Sequence, residues 1–184
     1  MSKKSFLKEF IRENKSVGSV TPSSRFLVSK ILKSINFKEI KVIVELGPGT
    51  GVFTREIIKK LPENVIFLVL EINEIFYSHL KKEFNQPNVI LINGSAAQLL
   101  KHLKDNKLEY ADTIVSSLPL SNFDKDFRNS IILEAYASLK SNGKFIQFQY
   151  SMQSKKTLNY LFRDVKIGFT AFNFPPAFVY VCSK

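Results

Sequence analysis

The chain has 184 residues, one domain's worth and long enough to bury a core without disulfide or metal staples. Hydrophobic residues make up 45% and charged residues 23%, which excludes a disordered tail or a fibrous repeat. A single cysteine, Cys182, excludes a disulfide framework and a cysteine-rich zinc module, and the formal net charge of +11 calls for an anionic partner, either nucleic acid or an acidic membrane surface.

That charge is uneven. Residues 1–41 carry ten Lys/Arg against three acids, so most of the excess is N-terminal. No stretch approaches the roughly 18 consecutive apolar residues of a spanning helix. Residues 2–15 are too charged for a signal peptide. The expectation is a cytoplasmic chain.

Residues 3–15 read as a helix. Phe6, Leu7, Phe10 and Ile11 share one arc of about 140°, and Lys4, Lys8, Arg12 and Lys15 an adjacent arc of about 80°. This layout suits a helix lying in a membrane interface, with apolar side chains down and cations at the headgroups. It also suits an amphipathic helix packed on its own domain. A linker covers residues 16–22. Ser23 or Ser24 then caps a second helix to about Asn36, with Phe26, Leu27, Ile31 and Leu32 on one face.

From residue 41, short apolar runs alternate with amphipathic helices. The runs are 41–46, 65–72, 89–93, 113–117 and 145–150; the helices are 52–60, 74–85, 96–104 and 126–139. Near-continuous apolar strands separated by helices predict a mostly parallel sheet covered on both faces. Residues 165–174 and 177–183 read as a closing antiparallel pair, which makes seven strands. The organisation expected is a pair of N-terminal helices over 1–40 and a catalytic domain over 41–184.

The first strand runs into Glu45-Leu46-Gly47-Pro48-Gly49-Thr50-Gly51, and a helix opens behind it. Glycines let the backbone turn sharply and approach a ligand closely. Glu71 ends the second strand, where a carboxylate can accept hydrogen bonds from ribose hydroxyls. The spacing Gly-x-Gly-x-Gly differs from the dinucleotide pattern, and the acid two residues before Gly47 repels phosphate. S-adenosylmethionine, which carries an ammonium and no phosphate, fits both facts. The turn resembles motif I of the class I methyltransferases, with their Rossmann-like fold. Gly94-Ser95-Ala96 then stands where that family holds adenine.

The fourth strand ends in Ser116-Ser117-Leu118-Pro119-Leu120. Enzymes that methylate adenine in nucleic acid place an aromatic residue where this chain has Leu120, and leucine cannot stack on a base. Residues 45–53 also resemble the ribosomal RNA adenine dimethyltransferases, so that reading stays open as an alternative. A non-catalytic protein that binds adenosylmethionine or a membrane is a second.

A broader resemblance covers residues 6–181. The segments 17–25, Gly94-Ser95-Ala96-Ala97, Ser117-Leu118-Pro119-Leu120, 145–150 and Phe174-Pro175-Pro176-Ala177 are similar to those of bacterial phospholipid N-methyltransferases. Gln149 departs, standing where threonine is expected. The resemblance implies transfer of methyl groups to the amine of phosphatidylethanolamine, toward phosphatidylcholine, by a peripheral enzyme on the inner face of the membrane. Ornithine lipid is the other headgroup it admits. It implies membrane contact through Lys4, Phe6, Leu7, Lys8, Phe10, Ile11 and Arg12. Cofactor contacts fall to Thr21, Glu45, Gly47, Gly49 and Gly51, then to Glu71, Ile72, Gly94, Ser95, Ala96 and Ser116. Tyr150, Ser117 and the Leu118 carbonyl are the candidates to hold the substrate amine. No His/Cys/Asp cluster has metal-ligand spacing, so no metal is expected. His79 and His102 read as solvated helix surface.

Overall fold

The computed structural model describes residues 23–184. The helix expected over residues 3–15, with its candidate membrane contacts, and Thr21 lie outside the described residues.

The chain opens with α1 (Arg25–Leu32). Ser24 caps it, its hydroxyl accepting the Leu27 N–H at 3.2 Å. Then follow β1 (Val42–Leu46), α2 (Val52–Ile58), β2 (Ile66–Glu71), α3 (Glu74–Glu83) and β3 (Val89–Asn93). A short 3-10 turn, Ala96–Gln98, leads into α4 (Leu99–Asp105) and β4 (Ala111–Ser116). A second such turn, Leu120–Asn122, precedes α5 (Lys125–Ser138) and β5 (Leu139–Gln149). The last elements are α6 (Lys155–Leu161), β6 (Asp164–Thr170) and β7 (Ala177–Ser183).

The seven strands form one sheet in the order β3-β2-β1-β4-β5-β7-β6. The first five pair in parallel, and β7 runs antiparallel between β5 and β6. The expected mostly parallel sheet with a final antiparallel strand is thus the observed one. β1 is buried along its whole length, as a strand covered on both faces must be. One face carries α1 and α2, which pack Leu27, Ile31, Phe53 and Ile57 on Ile43, Phe67 and Val115. The other carries α4, α5 and α6, where Leu103, Ile132 and Leu158 meet Val44, Ile114 and Phe145. α1 is therefore an integral layer of the fold.

At the amino end of the sheet, the Asp112 carboxylate accepts the N–H groups of Lys41 and Val42, both at 2.7 Å, and pairs with Lys140. These bonds tie together the starts of β1, β4 and β5. The carboxyl end is built differently.

Candidate active site

β1 ends on the glycine turn. Gly47, Gly49 and Gly51 adopt φ of +70°, +57° and +78°, a region costly for residues with a Cβ. A Cβ on Gly51 would stand 2.8 Å from Leu80 Cδ2, and one on Gly47 2.6 Å from Leu118 Cδ2. A Cβ on Gly49 would meet nothing within 4 Å. A Cβ at Gly47 or Gly51 would thus press on neighbouring side chains, whereas the Gly49 backbone faces open space at the mouth of the turn.

β2 brings Glu71 to the same point. Its Oε2 accepts the Gly49 N–H at 3.0 Å and its Oε1 the Asn73 N–H at 2.8 Å. Burial pushes its pKa up, against the pull of these backbone donors. The Glu71 carbonyl accepts the Gly94 N–H at 3.2 Å, which locks the tip of β3 alongside. The Ser95 hydroxyl accepts the Ala97 N–H at 3.2 Å and so caps the 3-10 turn, while its own proton stays available. Between these tips a slot opens, lined by Gly47, Glu71, Ile72, Gly94, Ser95, Ala96 and Leu118, with Phe123 and Phe127 beyond. Seven of the expected cofactor residues (Gly47, Gly49, Glu71, Ile72, Gly94, Ser95 and Ala96) line this slot or bond into it. Gly51 is buried and serves the turn.

His102 corrects one expectation. Its ring is half-buried against Gly94, where a Cβ would stand 2.5 Å from Nε2, and that nitrogen has no partner. It backs the adenine-side tip rather than facing solvent. His79 is exposed, 3.3 Å from Glu83.

Glu45 lies behind the turn, fully buried. Its Oε2 accepts the Thr54 hydroxyl at 2.7 Å and its Oε1 has no partner. Burial pushes its pKa up to about 8. An acid placed there to repel phosphate is therefore largely protonated at neutral pH, and a nearby ammonium is what would ionise it.

β4 and β5 supply the acceptor side. Ser116 is fully buried, its hydroxyl 3.4 Å from the Leu118 N–H, so it braces the strand end rather than facing a ligand. The Ser117 N–H donates to the Leu46 carbonyl at 2.9 Å, and its buried hydroxyl has no partner. The expectation for the Leu118 carbonyl is corrected. It already accepts from Gln147 Nε2 at 3.0 Å and from the Leu120 N–H at 2.8 Å, so both lone pairs are taken. Gln147 was not singled out in the sequence, although it stands in the resemblance segment 145–150. Tyr150 is half-exposed just past β5, its ring edge-on to Phe148 at 6.0 Å. Gln149 turns inward and donates to the Ser154 hydroxyl at 3.1 Å.

Among the described residues eight buried side-chain atoms lack a protein partner, and five of them, Glu45 Oε1, Ser117 Oγ, Gln147 Oε1, Gln149 Oε1 and Ser151 Oγ, lie at or just past the carboxyl ends of β1, β4 and β5. Buried polar atoms are normally paired, so such a concentration indicates a ligand rich in donors. An amino acid end and ribose hydroxyls supply them, and the residues fit S-adenosylmethionine. No group of three potential metal ligands occurs among the described residues.

Fold and site together define a class I S-adenosylmethionine-dependent methyltransferase. Residues 11–122 match the ribosomal RNA adenine dimethylase family, and the chain belongs to that family. Its relatives include an ornithine lipid N-methyltransferase from Singulisphaera acidiphila, 29% identical over 96% of this chain and 93% of that protein. They also include a probable ribosomal RNA small subunit methyltransferase A from Methanococcus aeolicus, 25% identical over 90% of this chain, which spans 63% of that relative's length. Among solved structures, the N-methyltransferase NodS from Bradyrhizobium japonicum superposes with a TM-score of 0.70 at 11% identity, over 87% of this chain and 95% of that one. The magnesium protoporphyrin IX methyltransferase of Synechocystis, solved with S-adenosylmethionine bound, gives 0.65 at 13% identity over 86% and 76%. The protein is an S-adenosylmethionine-dependent N-methyltransferase. The family shown is the RNA dimethylase one, with a lipid-methylating relative, rather than a phosphatidylethanolamine-specific family.

Proposed function

We propose that this enzyme methylates the headgroup amine of a membrane aminolipid, with phosphatidylethanolamine as the first substrate and ornithine lipid as the second. The observation that carries the reading is Leu120. It is fully buried in the core beneath the acceptor side of the site. A base-methylating enzyme needs an aromatic surface there to hold an extruded adenine. The match to the ornithine lipid N-methyltransferase along nearly its whole length supports the same reading.

When bound, S-adenosylmethionine supplies an electrophilic methyl group on a positively charged sulfur. Glu71, the Gly49 backbone and the Ser95–Ala96 tip are the groups placed to hold its ribose and adenine, and Glu45 to face its ammonium. Ser117 Oγ, buried and unpartnered, accepts a hydrogen bond from one N–H of the substrate amine and turns the nitrogen lone pair toward the slot. The Tyr150 hydroxyl accepts a hydrogen bond from a second N–H on the solvent side. Gln147 is a positioning residue: its bond to the Leu118 carbonyl fixes the segment that carries Ser117. The amine must arrive neutral, and the proton it loses leaves by the exposed Tyr150 side.

Residues 3–15 complete the proposal as an interfacial helix on anionic lipid. Among the described residues no helix is long and apolar enough to cross a membrane. Replacing Phe6 and Phe10 by Asp should weaken vesicle binding and leave cofactor affinity unchanged. The decisive experiment incubates the full chain with methyl-labelled S-adenosylmethionine and three acceptors: vesicles containing phosphatidylethanolamine, vesicles containing ornithine lipid, and ribosomal RNA. Label in lipid is the expected result, and label in RNA alone overturns the proposal.

A further inference from the structure

Residues 171–176 join β6 to β7. Because β6 runs with the parallel strands, this loop emerges at their carboxyl end, the end that holds the glycine turn and Ser117. Within the loop the usual partition of polar and apolar side chains is inverted. Asn173 is buried, its Oδ1 accepting the Ser24 N–H at 2.9 Å and its Nδ2 donating to the Pro175 carbonyl at 2.7 Å. Its neighbours Phe172 and Phe174 are 73% and 81% exposed. Phe26 of α1, 53% exposed, lies against Phe172 with ring centroids 5.1 Å apart. Phe169, equally exposed, packs instead on Phe178 across the β6–β7 pair, with ring centroids 5.3 Å apart.

A loop that merely connected two strands would turn its amide out and its rings in. Here the amide holds the loop's shape against α1, and three rings at this end of α1 and the loop, Phe26, Phe172 and Phe174, are left in water, the first two in contact. Such an exposed apolar cluster is an interaction surface. Its surroundings select the partner. Lys30 Nζ donates to the Phe169 carbonyl at 2.5 Å, which sets an ammonium beside the rings. The adjacent face of α1 lines a groove of about 600 Å³ with α2, whose charged lining is Arg25, Lys33, Arg55 and Lys60 against one acid, Glu56. Rings beside cations match the two zones of an anionic bilayer, an acyl boundary and a layer of phosphates.

We propose that the β6–β7 loop, with Phe26, is a membrane-docking surface that seats on an anionic lipid bilayer and holds the Tyr150 mouth of the site at headgroup depth. This deepens the lipid-headgroup reading and rests on it for the reaction; the docking stands independently.

The test replaces Phe172 and Phe174 by Asp in the full chain. Binding to vesicles of phosphatidylglycerol and phosphatidylethanolamine should weaken by about tenfold or more. Methyl transfer to vesicle lipid should fall with it, while transfer to a short-chain aminolipid dissolved as monomers, and cofactor affinity, stay at the wild-type value. Phe174→Ser, a smaller change on the outermost ring, should give an intermediate loss, which separates docking from misfolding. Vesicle binding by the double variant equal to wild type overturns the proposal, as does a wild type that ignores vesicles and pairs with a protein through these rings. If docking depends on the rings but no lipid is methylated, the surface stands and the headgroup reading falls.

Discussion

Glu71 Oε2 accepts the Gly49 N–H at 3.0 Å, so the residue that closes β2 holds the glycine turn that follows β1. One carboxylate thereby shapes the turn and faces the position where ribose hydroxyls are expected. Glu71→Gln keeps the size but gives up an ionised acceptor. Hydrogen bonds to charged groups contribute about 1.5–3 kcal/mol. The expected outcome is cofactor affinity lower by a factor of about 10 to 100 in calorimetry, with the fold intact by circular dichroism.

Gly49 and Gly51 should separate under the same substitution. Gly51→Ala forces a Cβ against Leu80 and Phe84 at a positive φ, and should cost about 2 kcal/mol or more in urea unfolding. Gly49→Ala meets no neighbour, so only the backbone cost of about 1 kcal/mol applies. On the proposed placement of the cofactor its Cβ enters that ligand's space, and cofactor affinity should drop well beyond the stability loss. Gly49→Arg should abolish binding. Equal losses of stability in the two alanine variants would contradict the assignment.

Glu45 gives a pH dependence. Its pKa rises from 4.5 in the unfolded chain to about 8 in the fold, because burial disfavours the charged form. The folded protein then keeps its proton where the unfolded chain has released it. Its contribution to stability is fully present below about pH 4.5 and is lost as the pH climbs to about 8, a loss on the order of 4 kcal/mol. Glu45→Gln should flatten that decline in denaturant titrations of the cofactor-free protein. Cofactor binding at pH 7 should release a proton, detectable by calorimetry in buffers of different ionisation enthalpy.

Ser117 and Tyr150 are assigned to the amine and not to the cofactor. Ser117→Ala should lower kcat on vesicle lipid about fivefold to tenfold, the worth of one hydrogen bond, with cofactor affinity unchanged. Tyr150→Phe should behave alike. A loss confined to cofactor affinity would move either residue to the other half of the site.

Most of this was legible in the sequence where local pattern decides the outcome. The apolar runs placed β1 to β4 within a residue or two, and the glycine spacing with Glu71 marked the turn at which Gly49 and Glu71 meet. The strand β5 begins six residues earlier than its apolar run, because Leu139 is fully buried while Lys140 to Asn142 are exposed, which masks the signal. The helix α6 was missed: seven residues with Leu158 as their one buried side chain give no stripe. The occupied Leu118 carbonyl, the wall made by His102 and the inverted loop around Asn173 depend on partners far away in the chain. Gln147 reaches across 29 positions and Asn173 across 149. No periodicity reports such bonds.

The contrast between the two ends of the sheet has a further consequence. Both carboxylate oxygens of Asp112 have partners within the protein, in Lys41, Val42 and Lys140, whereas Glu45, Ser117 and Gln147 each leave a buried polar atom without one. A saturating mutational screen should therefore sort the ends apart. Near Asp112, cellular abundance and turnover should fall together, since folding is all those residues provide. Near Ser117 and Glu45, apolar replacements of similar shape should hold or raise abundance while turnover falls, the trade expected where a fold gives up stability to keep a place for its ligands.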